Sequence, residues 1–257
     1  MGNQFLLLFY YSLLMLPPVI LILIFTKVDK FPEPLSKIII TILLAYAATS
    51  IFSTVKYDIL NIPDAWSSNA FINAYFLVAF PEELTKYLVL YFYCTKLDEF
   101  NEPMDGIVYG GMAGLGFAMI EAFQYLGSSI LVAEKELGGI STKVINPDLG
   151  SGFVEIMWTI FSRGLFAIPG HVFDGVIMGT FIGICIFRDV NKYLFFGLAL
   201  LVPTLFHGTW DYILMAELNS IFFTLLYGVQ FAVVTIIFTY FRGLQRTKVF
   251  EAERRFN

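Results

Sequence analysis

The sequence predicts an all-α, polytopic membrane protein: a transmembrane helical bundle of about eight spans, forming one domain over residues 1–257. Three observations predict it. Hydrophobic residues make up 58% of the chain and charged residues 14%, whereas ordinary soluble domains carry about 25% charged residues. The mean hydropathy is +0.74. The apolar residues gather into runs close to the roughly 20 that a helix needs to cross a hydrocarbon core about 30 Å thick. A soluble fold of this size could not cover so much apolar surface, so the excess faces lipid. The net charge of -5 is spread over loops and gives no reason to expect nucleic-acid binding, which needs a basic stripe. Cys94 and Cys185 lie in apolar stretches without CxxC spacing and read as small buried hydrophobes.

The first span covers about residues 5–26. No basic segment precedes it and no small-residue cleavage site stands out, so it reads as a retained span and not a cleaved signal. Pro17 and Pro18 are expected to kink it, which helix packing tolerates in a membrane. A charged loop with Lys27, Asp29, Lys30 and Glu33 leads to a second span at about 37–55. A loop at 56–69 with Lys56, Asp58, Asp64 and the helix-stopping Pro63 precedes a third span at about 70–95. The fourth, about 105–132, is rich in glycine. Gly106, Gly110 and Gly114 share one helical face, and small residues at that spacing let another helix approach closely. No strand precedes them, so a phosphate-binding loop is not expected.

Residues 134–151 form the longest polar stretch. Residues 152–168 are short for a span and contain Glu155 and Arg163, both expected at the interface; Pro169-Gly170 is expected to break the chain before a span at about 171–187. Spans at about 193–214 and 219–241 follow, and then a basic tail with Arg242, Arg246, Lys248, Arg254 and Arg255. The positive-inside rule places that tail in the cytoplasm. Eight crossings put the N-terminus there too and the first loop outside; seven would put the two ends on opposite sides. No internal repeat suggests an inverted-repeat transporter.

The ionisable residues inside the spans carry the functional signal. Glu82, Glu83, Lys86, Glu121, His171, Asp174, His207 and Asp211 fall in the third, fourth, sixth and seventh spans. Each charge at mid-bilayer costs on the order of 2.5–3.5 kcal/mol on insertion scales. The economical solution turns these side chains from four helices toward one polar centre. Glu82 and Lys86 are i, i+4 and share a face. Glu83 points about 100° away from Glu82 but is i, i+3 from Lys86, so the lysine can neutralise either carboxylate. Pro81 can start a helical segment, placing both glutamates in a first turn where free N–H groups favour them. His207 and Asp211 are again i, i+4. Asp174, three residues after His171, reads as a supporting or capping residue.

Two histidines with carboxylates are the makings of a divalent-metal site with an open water position. A remaining glutamate could act as base toward that water. Without metal, glutamate and histidine could still hold and deprotonate a water. Either way the chemistry available is hydrolysis.

Four fragments resemble the PrsW-type intramembrane proteases. AFPEELTKY is similar to their EExxK element, with Glu82, Glu83 and Lys86 in the matching places. Phe117 to Glu121 (FAMIE) resembles the FxxxE element. PGHVFDG, with His171 and Gly175, resembles the element in which a histidine opens a membrane helix, and HGTWD, with His207 and Asp211, resembles the fourth. They occur in the family's order over roughly 75–215, which is then the catalytic core. The wider superfamily includes the CAAX prenyl proteases, whose first motif usually ends in arginine and whose second carries a histidine where this chain has Glu121; both departures favour the PrsW branch. The resemblance implies an endopeptidase of the cell membrane acting on membrane-anchored proteins, an anti-sigma factor being the family's best-known substrate. It implies Glu82, Glu83, His171 and His207 as the core site. On that reading Glu82 is the general base and Glu83 shares the role or polarises the site. His171 and His207 bind a divalent metal, zinc by expectation, or stabilise the oxyanion. Glu121 is a further ligand or a positioner, and Lys86 balances charge. A proton- or ion-coupled transporter and a non-catalytic membrane scaffold are the competing readings. Solute uptake lost with Glu121→Gln would favour the first, and activity unaffected by a Glu82/His171 double substitution the second.

Overall fold

A computed structural model describes residues 2–55, 64–137 and 151–256. Of the expected loops at 56–69 and 134–151, residues 56–63 and 138–150 lie outside the described residues, while 64–67 and 134–137 are helical. The described residues form an all-α bundle. The first span is α1 (Gly2–Leu14) and α2 (Leu16–Val28), joined at Met15. Pro17 and Pro18 sit in the first turn of α2, where a missing N–H costs least, and the break between the two helices is confined to Met15, whose backbone stays in the helical region. The second span is α3 (Leu35–Thr54). Two short helices, α4 (Asp64–Ser67) and α5 (Ala70–Ile72), lead into a π-helical segment, Asn73–Ala79, which continues as α6 (Phe80–Phe92). The remaining helices are α7 (Pro103–Leu137), α8 (Ser151–Ser162), α9 (Ile168–Phe187), α10 (Lys192–Met215) and α11 (Ser220–Phe256).

Among the described residues, six helices are long and apolar enough to cross a membrane. The expected count of about eight differs from these six in two places. Residues 152–168 do not form a span of their own: α8, a second π-helical segment (Arg163–Ala167) and α9 run on as one helix, and Gly152–Phe187 is a single candidate span. Residues 73–92 are helical as expected, but they are not among those six. Pro169 does not break the helix. Proline lacks an N–H and clashes with the carbonyl four residues earlier; the wider π turn absorbs that clash. The Leu165 carbonyl, four residues before Pro169, instead accepts the Tyr227 hydroxyl at 3.0 Å. Pro81 is preceded by a π turn in the same way. Glu82 and Glu83 do lie in the first turn of α6, but that turn continues an existing helix and is not the free N-terminus expected.

Of the two topologies left open, the eight-crossing one, which sets the first loop opposite the basic tail, does not fit the contacts of α11. Gln245, late in α11, donates to Asp29 at 2.7 Å and accepts the Lys30 backbone N–H at 3.3 Å. The first loop and that end of α11 therefore share a membrane face.

The bundle is layered by burial. The windows in α7 and α8–α9 are 83% and 72% buried, against 17% for α1–α2 and 11% for α11. The two inner helices meet through glycine on both sides. A Cβ on Gly106, Gly110 or Gly114 would overlap the carbonyl of Gly179, Gly175 or His171, respectively. The expected glycine face of α7 is thus met by a second one, Gly175, Gly179 and Gly183, on α9. The outer helices turn Leu8, Leu23, Leu43, Leu225, Phe231 and Ile236 outward, toward the lipid that their composition requires. Cys94 and Cys185 are buried and free, as expected.

Candidate active site

The eight ionisable residues meet. The close α7–α9 contact holds His171 beside Phe117, with ring centroids 4.8 Å apart. One helical turn further along α7, Glu121 Oε2 lies 2.9 Å from His171 Nε2. Because a carboxylate accepts, this contact places the His171 proton on Nε2 and leaves Nδ1 as acceptor. Lys86 Nζ lies 3.2 Å from that Nδ1 and donates to Glu83 Oε1 at 2.6 Å. The same Glu83 oxygen lies 2.7 Å from His207 Nδ1, so the His207 proton on that side points at Glu83. The other nitrogen, Nε2, is 3.5 Å from Glu82 Oε2 and 3.3 Å from Asp211 Oδ2. The two imidazoles are edge to face, 4.9 Å apart. Each ring is thus oriented by one glutamate, the arrangement by which an outer carboxylate fixes a tautomer.

The two neighbouring glutamates differ in kind. The Glu83 side chain is fully enclosed and anchored by Lys86 and His207, whereas the Glu82 side chain keeps 18% of its surface. Glu82 Oε2, Glu83 Oε2 and Asp211 Oδ2 are buried with no hydrogen-bond partner. Five carboxyls, those of Glu82, Glu83, Glu121, Asp174 and Asp211, face two permanent cations, Lys86 and Arg163. Such a centre is short of positive charge. Ligand atoms of Glu83, His171, Asp174 and His207 lie within 4.8 Å of one another. Two imidazoles and two carboxylates match the donor set of a catalytic divalent metal, and the unpartnered oxygens agree with that fit. Glu121 lies outside this group of four. It contacts His171 and Arg163 instead.

Two participants were not expected. Arg163 is not left at the interface: it pairs with Glu121 at 3.1 Å and stacks on Tyr125, 3.4 Å from the ring centroid. Its signal was present, a cation one helical stretch before His171, but residues 152–168 left open whether the segment crosses or lies at the interface. Gln230 on α11 is fully buried. It donates to Asp174 Oδ1 at 2.7 Å and accepts the Trp210 indole N–H at 3.2 Å. A search for charge alone passes over an amide. Glu155 is exposed, as expected.

Gln230→Leu removes a buried partner from both Asp174 and Trp210. Each orphaned polar group costs about 1–3 kcal/mol. The variant is expected to unfold several degrees below the wild type in a thermal melt of detergent-solubilised protein, and an unchanged melt would show that water replaces the amide.

A family model described as PrsW family intramembrane metalloprotease matches residues 33–241. Among curated proteins, Protease PrsW of Geobacillus kaustophilus is 30% identical over 151 residues, 59% of this chain and 54% of that protein. Protease PrsW of Bacillus subtilis is 29% identical over 180 residues, 70% of this chain and 67% of that protein. Protease PrsW of Oceanobacillus iheyensis is 30% identical over 186 residues, 72% and 74% respectively. The chain therefore spans little more than half the length of the Geobacillus relative. No solved structure matches it significantly.

Proposed function

The chain belongs to the PrsW family of intramembrane metalloproteases, and from that premise we propose that it hydrolyses peptide bonds in or next to membrane-anchored segments of protein substrates. The observation that carries the proposal is the shared polar centre, in which Glu82 Oε2 lies 3.5 Å from His207 Nε2 and the His171 and His207 rings lie 4.9 Å apart. Glu82 is the general base. Its Oε2 makes no hydrogen bond and faces His207 Nε2 at 3.5 Å, and its side chain is the more open of the two glutamates. It takes the proton of a water as that water attacks the peptide carbonyl, and returns it to the leaving amine. His207, held through Nδ1 by Glu83, presents Nε2 to the same space. Glu121 and Arg163 fix His171. Lys86 supplies positive charge between Glu83 and His171. Gln230 fixes Asp174, and Asp211 stands beside the reactive side of His207. A divalent metal, zinc in our reading, held by Glu83, His171, Asp174 and His207, would polarise the carbonyl and acidify a bound water. Glu121 then acts as positioner and not as ligand.

The substrate class we propose is a single-pass anchored regulator such as an anti-sigma factor, in the cell membrane. The basic tail puts the end of α11 in the cytoplasm. The first loop shares that face, so Lys27, Lys30 and Lys37 fall on the side that favours them. The test is co-expression with a tagged, membrane-anchored anti-sigma factor. A truncated fragment is expected with the wild-type chain and not with a His171→Ala/His207→Ala form of equal abundance. The same fragment from both forms would remove the proposed site from the reaction.

A further inference from the structure

A second buried group of carboxylates stands apart from the active site. Asp29 and Glu33 lie in the loop between α2 and α3, and Asp105 in the first turn of α7. Asp105 is 16 residues from Glu121 on the same helix, about 24 Å at 1.5 Å per residue. The three are 5%, 8% and 1% exposed, and ligand oxygens of all three lie within 4.8 Å of one another. Among the residues whose side chains are described, no Lys, Arg or His forms an ion pair with any of the three; Glu102, also buried, lies beside them and shares the Gln245 amide with Asp29. Burying three carboxyls together without a counter-charge is costly.

Each carboxylate is anchored through one oxygen to a neighbouring donor, and the Glu33 and Asp105 carboxyls also hydrogen-bond each other. Asp29 Oδ1 accepts the Phe31 backbone N–H at 2.9 Å and the Gln245 amide at 2.7 Å. Asp105 Oδ2 accepts the backbone N–H groups of Asn101 and Glu102 at 2.6 and 2.7 Å. Glu33 Oε2 accepts the Tyr109 hydroxyl. The other oxygen of Asp29, Oδ2, is buried and has no partner at all. It is an acceptor in the cluster with nothing to accept from.

We propose that Asp29, Glu33 and Asp105 form a second cation site, which binds a hard divalent ion of the magnesium or calcium class at the membrane boundary. The donors are all oxygen, the set such ions prefer, and there is no imidazole or thiolate to select zinc. The ion ties the α2–α3 loop to the start of α7 and, through Gln245, to the end of α11. It acts as a clamp between the inner helix α7 and the outer elements, and it stands whether or not the chain is a protease.

The test uses the full purified chain in detergent. After treatment with EDTA, added Mg2+ or Ca2+ is expected to raise the thermal midpoint saturably, by about 5 °C. Asp29→Asn/Glu33→Gln is expected to lose that response, while His207→Ala keeps it. The absence of a saturable rise up to about 10 mM ion, far above the range of most calcium sites, would overturn the proposal, as would an equal rise in the Asp29/Glu33 variant. Should that variant fail to fold, Tb3+ added to the wild type provides the second measurement. Tyr109 touches Glu33, so tyrosine-sensitised emission is expected to saturate, to be displaced by Ca2+ and to fall several-fold in Tyr109→Phe. Emission unaffected by Ca2+ and by Tyr109→Phe would equally overturn the site.

Discussion

Glu82→Gln is expected to abolish cleavage of a membrane-anchored substrate, lowering kcat/KM by about 10²–10⁴-fold, the usual contribution of a positioned base, while leaving the protein folded and inserted. The separation between chemistry and stability follows from the geometry. Glutamine is nearly the same size and shape, and Glu82 Oε2 makes no hydrogen bond that could be lost. What disappears is the capacity to take a proton. Glu83→Gln is the informative contrast. Its Oε1 serves both Lys86 and His207 inside a fully buried setting, so substitution leaves a lysine without its partner. Breaking a buried pair costs about 3–5 kcal/mol, and Glu83→Gln is expected to lower the thermal midpoint as well as the activity. Single-turnover cleavage and a melt on the same preparations separate the two effects. Normal turnover by Glu82→Gln would take Glu82 out of the mechanism.

Gly179→Leu is expected to be the most damaging change outside the polar centre. Its Cβ would overlap the Gly106 carbonyl, a backbone atom that can give way only if α7 and α9 separate. Overpacking commonly costs about 1–3 kcal/mol, and a backbone clash between two enclosed helices belongs at or above the upper end. Separation would also draw His171 away from Glu121, since those residues sit on the two helices concerned. The variant should therefore lose activity even at temperatures where it stays folded. Gly197→Leu is the control, because nothing lies within 4 Å of the Cβ it would add. Equal melting temperatures for the two variants would mean that the glycine contact is not what holds the pair together.

Much of this was legible in the sequence, and the reason is the cost of charge in hydrocarbon. Glu82, Lys86, Glu121, His171, Asp174, His207 and Asp211 each sit in an apolar run, and only a common centre makes all of them affordable. The same logic is silent about Gln230, whose amide carries no charge. It misplaced Arg163 because 152–168, short for a span, left open whether the segment crosses or lies at the interface. That shortness came from treating Pro169 as a stop, and the π segment at 163–167 shows how the chain passes through it. The glycines of α9 carry the same four-residue spacing as those of α7, so that half of the contact was readable. Asp29, Glu33 and Asp105 are a different case. Acidic residues beside a span read as solvated loop, and only the folded chain reveals that water is excluded from them.

The widened turns ahead of Pro81 and Pro169 bear on how gene lineages can diverge here. A π turn holds one residue more than an α turn in the same length of helix. Loss of either proline should therefore be accompanied by deletion of a single codon within 73–79 or 163–167, since that deletion restores ordinary winding while Glu82 and His171 keep their facing. Chains descended from a common ancestor are expected to align across this region with isolated one-residue gaps at those two places, and with none between Pro81 and Lys86 or between Pro169 and Asp174.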